Sequence, residues 1–243
     1  MSDYHHNPNY IHHKQSIVSE TIREVVFGVE DGMVSTMGAI TGIAAGTGNH
    51  LVVLLSGFVI IAVESISMAV GSFLSSKSER HIEERMLEEE REEISMHLEE
   101  EKGEMKRLFI KDGWDEKMAT KMAEQAAKNA ELMLKEMAYR ELNIIPEKED
   151  SAFRNGLVMW VSYILGGSIP LFPYVFFDIS TAVPISIVLT VIGLFILGVF
   201  TTRYSKRPWY KAGFEMLLLA GAAAIVGYAV GSMGDKFLSS RFK

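Results

Sequence analysis

Hydrophobic and polar positions divide the chain into blocks. A polar leader at 1–20 precedes an apolar block at 21–75; a strongly charged block follows at 76–148, and apolar sequence resumes over 149–243. Apolar runs of roughly the 20 residues needed to span a bilayer as a helix fall at about 24–46, 51–74, 153–175, 182–202 and 212–234. The turn-like Gly46-Thr47-Gly48-Asn49 separates the first two. The pattern predicts an all-α membrane protein of five transmembrane helices, with a soluble helical insert between the second and third.

The second run passes without a proline into KSERHIEERMLEEEREEISMHLEEEKGEMKRLFIKDGW, which predicts a helix continuing from the membrane into water. Asp112-Gly113 is a turn signal, and a further helix is expected over about 114–143, with Pro146 beyond its end. Between Glu93 and Glu101 only Ser95-Met96-His97, or Gly103 just beyond, could bend the chain. In an unbroken helix Glu90 and Glu101 would share a face about 16 Å apart and form separate sites.

Lysine and arginine in the short flanks orient the spans. Lys14 and Arg23 precede the first, and Arg203, Lys206, Arg207 and Lys211 lie between the fourth and fifth, whereas 47–50 and 174–181 carry none. Five spans then place the insert on the cytoplasmic side of an integral, multi-pass membrane protein. The tail, with Lys236, Arg241 and Lys243, falls outside against the rule.

Composition narrows the chemistry. The net charge of −7 arises mainly in the insert, which argues against nucleic acid and for cations as partners. There is no cysteine, so neither disulfides nor thiolate metal sites are available; fourteen methionines leave thioether as the soft ligand. No signal peptide is expected in the polar leader, and its His5, His6, His12 and His13 read as incidental.

Three carboxylates interrupt the first two spans, Glu30, Asp31 and Glu64. Each costs about 2.5–3.5 kcal/mol near the middle of a spanning helix, so such a group faces a polar pathway or a cation rather than lipid. The first span also carries Gly28 and Gly32, then Gly38, Gly42 and Gly46, four apart, a spacing that lets another helix approach closely. In an antiparallel hairpin Asp31 and Met68 reach nearly the same depth, about 9 Å in, and Glu64 lies one turn deeper. A carboxylate beside a thioether suits a borderline divalent transition metal better than calcium or magnesium. The plain alternative for Met68 is packing against lipid. In the insert, twelve glutamates fall between Glu79 and Glu104. Glu90 with Glu93, and Glu101 with Glu104, are three apart and can share a cation, and Met137 and Glu141, four apart, can close such a site. The plain alternative is a solvated acidic face.

FGVEDGMVSTMGAITG at 27–42, ISMAVGSFLSSKSE at 66–79 and LVMWVSYILGGSIPLFPYVFF at 157–177 resemble the vacuolar iron transporter family, membrane exporters of ferrous iron and related divalent metals. The resemblance covers nearly all the chain after the leader. It implies five transmembrane helices, a homodimer with the ion path between the two first helices, and a cytoplasmic metal-binding insert. The family's first-span aspartate falls on Asp31 and its second-span methionine on Met68; its insert ligands fall on Glu90, Glu93, Glu101, Glu104, Met137 and Glu141. A second insert methionine falls on Ala138, and the second-span glutamate on Ile60, so Glu64, one turn on, becomes the candidate proton carrier, with Glu30 or Asp31 as the alternative.

The expected function is therefore export of Fe2+, with Mn2+ alongside and Zn2+ or Co2+ compatible, from the cytosol in exchange for protons. The protein is expected to be a transporter and no enzyme, with no resident cofactor; its partners are divalent metal, protons, lipid and a second copy of the chain. Two alternatives remain. A di-iron carboxylate oxidase would use Glu-x-x-His, whereas here Glu93 and His97 are four apart. A membrane-anchored acidic scaffold would leave Glu30, Asp31 and Glu64 without a purpose.

Overall fold

The computed structural model describes residues 17–145, 151–205 and 208–241, and every regular element among them is helical. The order is α1 (Ile17–Thr47), α2 (His50–Met96), α3 (Leu98–Lys111), α4 (Glu116–Ala126), α5 (Ala130–Arg140), α6 (Ala152–Phe176), α7 (Ile179–Ser205) and α8 (Trp209–Arg241). The chain divides into two compact units, Met1–Phe73 with Phe153–Lys243, and Leu74–Ala152. The leader histidines His5, His6, His12 and His13, together with Lys14, Pro146, Lys206, Arg207 and Lys243, lie outside the described residues.

In the first unit the helices alternate in direction. Gly28 and Gly32 of α1 meet Ser162, Tyr163 and Gly167 of α6 in the same order, so these two run parallel. Gly42 and Gly46 meet Gly227 and Gly231 of α8, also parallel. Gly57 of α2 meets Leu171, and Gly156 of α6 meets Ala69 and Phe73, an antiparallel pair. Gly198 of α7 packs on Ala212 and Gly213 across the α7–α8 hairpin. The side chains are arranged inside out. Thr36, Thr41, Ser65, Asn155, Ser162, Ser186 and Thr190 are buried, whereas Leu55, Phe58, Val63, Ile66, Leu165, Phe172, Ile192, Ile196 and Leu218 are exposed. An apolar outer surface of this kind matches a lipid environment. The α6 backbone, interrupted by Pro170 and Pro173, is tied to α7 by Ser186 Oγ donating to the Pro170 carbonyl at 2.7 Å.

Among the described residues three helices are long and apolar enough to cross a membrane: His50–Met96 in its first part, Ala152–Phe176 and Ile179–Arg203. The five expected spans are thus met by length and composition at three. In α1, Glu30, Asp31 and a run of glycines and threonines dilute the apolar content; α8 is rich in glycine and alanine.

The close approaches make a prediction. A Cβ on Gly166 would press into the Val29 backbone, 2.9 Å from its Cα. Gly166→Val is expected to cost about 3 kcal/mol or more, read as a lowered melting temperature in detergent. Gly71, with nothing within 4 Å, is expected to accept alanine without loss.

In the second unit Ile94, Met105, Phe109, Ala119, Ala123, Ala126, Met133, Leu134 and Met137 form one apolar core. Two expectations are refined here. The helix expected over 114–143 is two, α4 and α5, because the Asn129 side chain accepts from Glu131 N and Leu132 N and starts a new helix. A cap of this kind is worth about 1 kcal/mol, enough to favour a turn at Ala127–Asn129 over continuation. The bend left open between Glu93 and Glu101 falls at His97, whose ψ of 36° ends α2, and α3 begins at the next residue. Gly103 lies inside α3.

Candidate functional site

The His97 break brings the insert carboxylates together. On a continuous helix Glu90 and Glu101 would be about 16 Å apart; folded back, the carboxylates of Glu90, Glu101 and Glu141 lie within 4.8 Å of one another. Glu90 and Glu101 are buried, and Glu90 Oε1 has no hydrogen-bond partner. Arginines compensate the neighbouring glutamates along α2: Arg80 pairs with Glu84, Arg85 with Glu89 and Arg91 with Glu88. Among the described residues no ion pair reaches Glu90, Glu101 or Glu141. The solvated-face reading suits the exposed glutamates but not the buried Glu90 and Glu101; Glu141, itself exposed, closes the cluster from the solvent side.

Burial, then repulsion from Glu141, Glu101, Glu93 and Glu104, pushes the Glu90 carboxyl up to about 7. Glu101 and Glu141 are also raised, in both cases first by burial and then by Glu104. Glu93 and Glu104 thus stand within electrostatic reach of the three without joining their close contact. Met137 is fully buried in the apolar core with Ile94 and Met105, and Ala138 beside it is buried as well. Three clustered carboxylate oxygens, one of them buried and unpartnered, can hold a divalent cation with hard character.

A pH dependence follows. Between the ordinary glutamate range and pH 7 the folded insert keeps a proton on Glu90 that the unfolded chain has lost, so metal-free stability falls as pH rises through that window. Metal binding requires the ionised carboxylates, so affinity rises with pH through about 7. Thermal melts from pH 5 to 8 with and without Mn2+ check both signs; metal-free stability that climbed over this window would contradict them.

In the first unit the candidates lie along one seam between α1 and α2. Ser35 Oγ donates to Glu64 Oε2 at 3.1 Å, and the fully buried Tyr163 donates to the same oxygen from α6. Ser35 and Tyr163 hydroxyls also meet at 2.5 Å. Towards the other end of the seam Ser72 Oγ donates to Glu24 Oε2 at 2.8 Å. Asp31 lies on α1 between these two contacts, within electrostatic reach of Glu64. Met68 lies between Glu64 and Ser72 on α2, half-buried. Asp31 and Ser35 also line an open groove of about 730 Å³ with Gly38 and Gly42 of α1 and Gly227 and Gly231 of α8. Among the described residues Asp31 is the one charged side chain on its walls. Glu30 is half-buried and does not line it.

Sequence reasoning missed Glu24, Ser35, Ser72 and Tyr163. Spacing could have found three of them. Glu24, Asp31 and Ser35 fall on one helical face at i, i+7 and i+11, and Glu64, Met68 and Ser72 on another at i, i+4 and i+8.

The model of the VIT family matches residues 22–232, most of the chain and both sets of carboxylates. The chain belongs to the VIT family. Its relatives are named as transporters. Vacuolar iron transporter 1 of Arabidopsis thaliana is 27% identical over 222 residues, covering 90% of this chain and 89% of that protein. The vacuolar iron transporter of Centaurea cyanus is 28% identical over 222 residues, 90% of each. That of Plasmodium berghei is 27% identical over 242 residues, covering 95% of this chain and 88% of its own length. VIT membership and three helices of spanning length and composition make this an integral membrane protein.

Proposed function

We propose that this protein is a secondary transporter that exports Fe2+ and related divalent metals, Mn2+ among them, from the cytosol in exchange for protons. The observation that carries the reading is the placement of Asp31 and Glu64, both half-buried and within electrostatic reach of each other, in a bundle whose outer surface is apolar. Carboxylates held there must serve a cation or a proton, because lipid offers them nothing. α1, the first part of α2, α6, α7 and α8 all cross the membrane; their alternating directions support five passes. The Lys and Arg flanks support a cytoplasmic insert. Glu90, Glu101 and Glu141, aided by Glu93, Glu104 and Met137, capture the ion, and Asp31 with Met68 passes it through the bundle. A second copy covers the small-residue groove beside Asp31 and completes the path.

Glu64 supplies the coupling. Ser35 and Tyr163 hold its carboxylate near Asp31, so a cation and a proton compete for one region of negative charge. The test records an internal pH dye during metal transport in proteoliposomes, with and without an imposed pH gradient. Wild type is expected to show proton counterflow, and Glu64→Gln to lose the counterflow while retaining some metal flux. Unchanged coupling in Glu64→Gln would make Glu64 structural and move the proton to Glu30 or Asp31.

A further inference from the structure

The seam has an occupant at one end that the transport reading does not use. Glu24 is a buried carboxylate, 4% exposed. Ser72 Oγ donates to its Oε2 at 2.8 Å, and Arg23 donates to its Oε1 twice, from Nη2 at 2.9 Å and Nε at 3.2 Å. The two partners of the ion pair are unlike. The Arg23 side chain is 66% exposed and that of Glu24 only 5%. Adjacent residues on a helix do not face each other, so Arg23 reaches Glu24 by folding along the helix surface from the solvent side.

The position is informative. Glu24 and Asp31 are seven residues apart on the same face of α1, about 10 Å along the axis. Ser72 lies immediately before Phe73, where the chain leaves the bundle for the insert. Glu24 is therefore two turns from Asp31, at the end of the seam where the insert is attached.

We propose that Glu24 is the first carboxylate the metal ion meets in the bundle, and that the Arg23 guanidinium occupies it in the ion's absence and leaves when a divalent cation arrives. The inference rests on the transport reading above. Its physical basis is an exchange. A buried carboxylate cannot lose its counter-charge without replacement, so Arg23 stays while nothing else is offered. Being mostly in water already, the guanidinium forfeits little on release. A divalent ion brings twice the charge to Oε1, while Ser72 keeps Oε2 in place. Arg23 thus sets the metal concentration at which the path loads and keeps the buried charge neutralised between ions.

The experiment is initial Mn2+ uptake against Mn2+ concentration in proteoliposomes of the full chain. Removing the competitor in Arg23→Gln is expected to lower the half-saturating concentration by about threefold to fivefold, the factor a solvent-exposed ion pair commands. Glu24→Gln is expected to raise it, with Glu24→Asp falling between. In the double variant Arg23→Gln with Glu24→Gln the gain should vanish, since Arg23 acts only through Glu24; a merely structural pair would not give this dependence. Should Glu24→Gln fail to fold, Arg23→Gln and Glu24→Asp still decide. A half-saturating concentration unmoved or raised by Arg23→Gln overturns the proposal, and so does a gain that persists without the Glu24 charge. Wild-type vesicles that take up no Mn2+ overturn the transport reading and this inference together; uptake that ignores Arg23 overturns the inference alone.

Discussion

Asp31→Asn is expected to leave the protein folded while reducing metal flux in proteoliposomes to the level of empty vesicles. Asparagine keeps the size of the side chain and an acceptor oxygen, so packing along α1 survives and only the charge is lost. That charge has no substitute among the described residues of the groove, whose other lining residues are small or apolar except for Ser35 and Thr47. In a low-dielectric seam one missing carboxylate weakens a divalent ion by several kcal/mol, on the order of a hundredfold or more in occupancy. Met68→Ala should do less, and selectively, reducing flux of the softer Co2+ more than that of Mn2+. Flux of wild-type size from Asp31→Asn would remove Asp31 from the path.

Converting Glu90 and Glu101 together to glutamine is expected to reduce metal affinity of the insert about a hundredfold, since loss of even an outer-shell partner costs 10–100-fold at metal sites. The same change should stabilise the metal-free protein, because it removes two buried, mutually repelling carboxylates. Calorimetry in the Asp31→Asn background isolates the insert from the bundle, and thermal melts read the stability. Glu93→Gln with Glu104→Gln should have the smaller effect, as these two stand outside the close cluster. Unchanged affinity after the Glu90 and Glu101 change would return the whole glutamate run to a solvated face.

The helices were largely legible because apolar runs and their polar interruptions are local features. The uninterrupted passage of α2 from apolar sequence into the glutamate run follows from the lack of a proline, and it holds over His50–Met96. Ser95-Met96-His97 stood out as one of two places for a bend, but whether the helix breaks there was not legible, because no proline marks it. Its cause is tertiary: bending there lets Met105 and Phe109 join Ile94 in one core, which local propensity does not register. Asn129 was a readable cap within an apparently continuous helical pattern and was passed over. At the sites, the carboxylates announced themselves by the cost of placing them among apolar residues. Their hydroxyl partners did not, since Ser35 and Tyr163 are ordinary residues for an apolar span and Tyr163 lies 99 positions from Glu64. Glu24 drew no notice because it stands at the very edge of the apolar run, yet burial against Ser72 makes it interior.

Anaerobic Fe2+ uptake by vesicles containing only the purified wild-type protein tests the central claim most directly. The account predicts time-dependent accumulation of Fe2+ well above empty vesicles, accelerated by a pH gradient directed against it. Folded, membrane-inserted protein whose vesicles accumulate no more Fe2+ than empty ones, at any gradient, would contradict it.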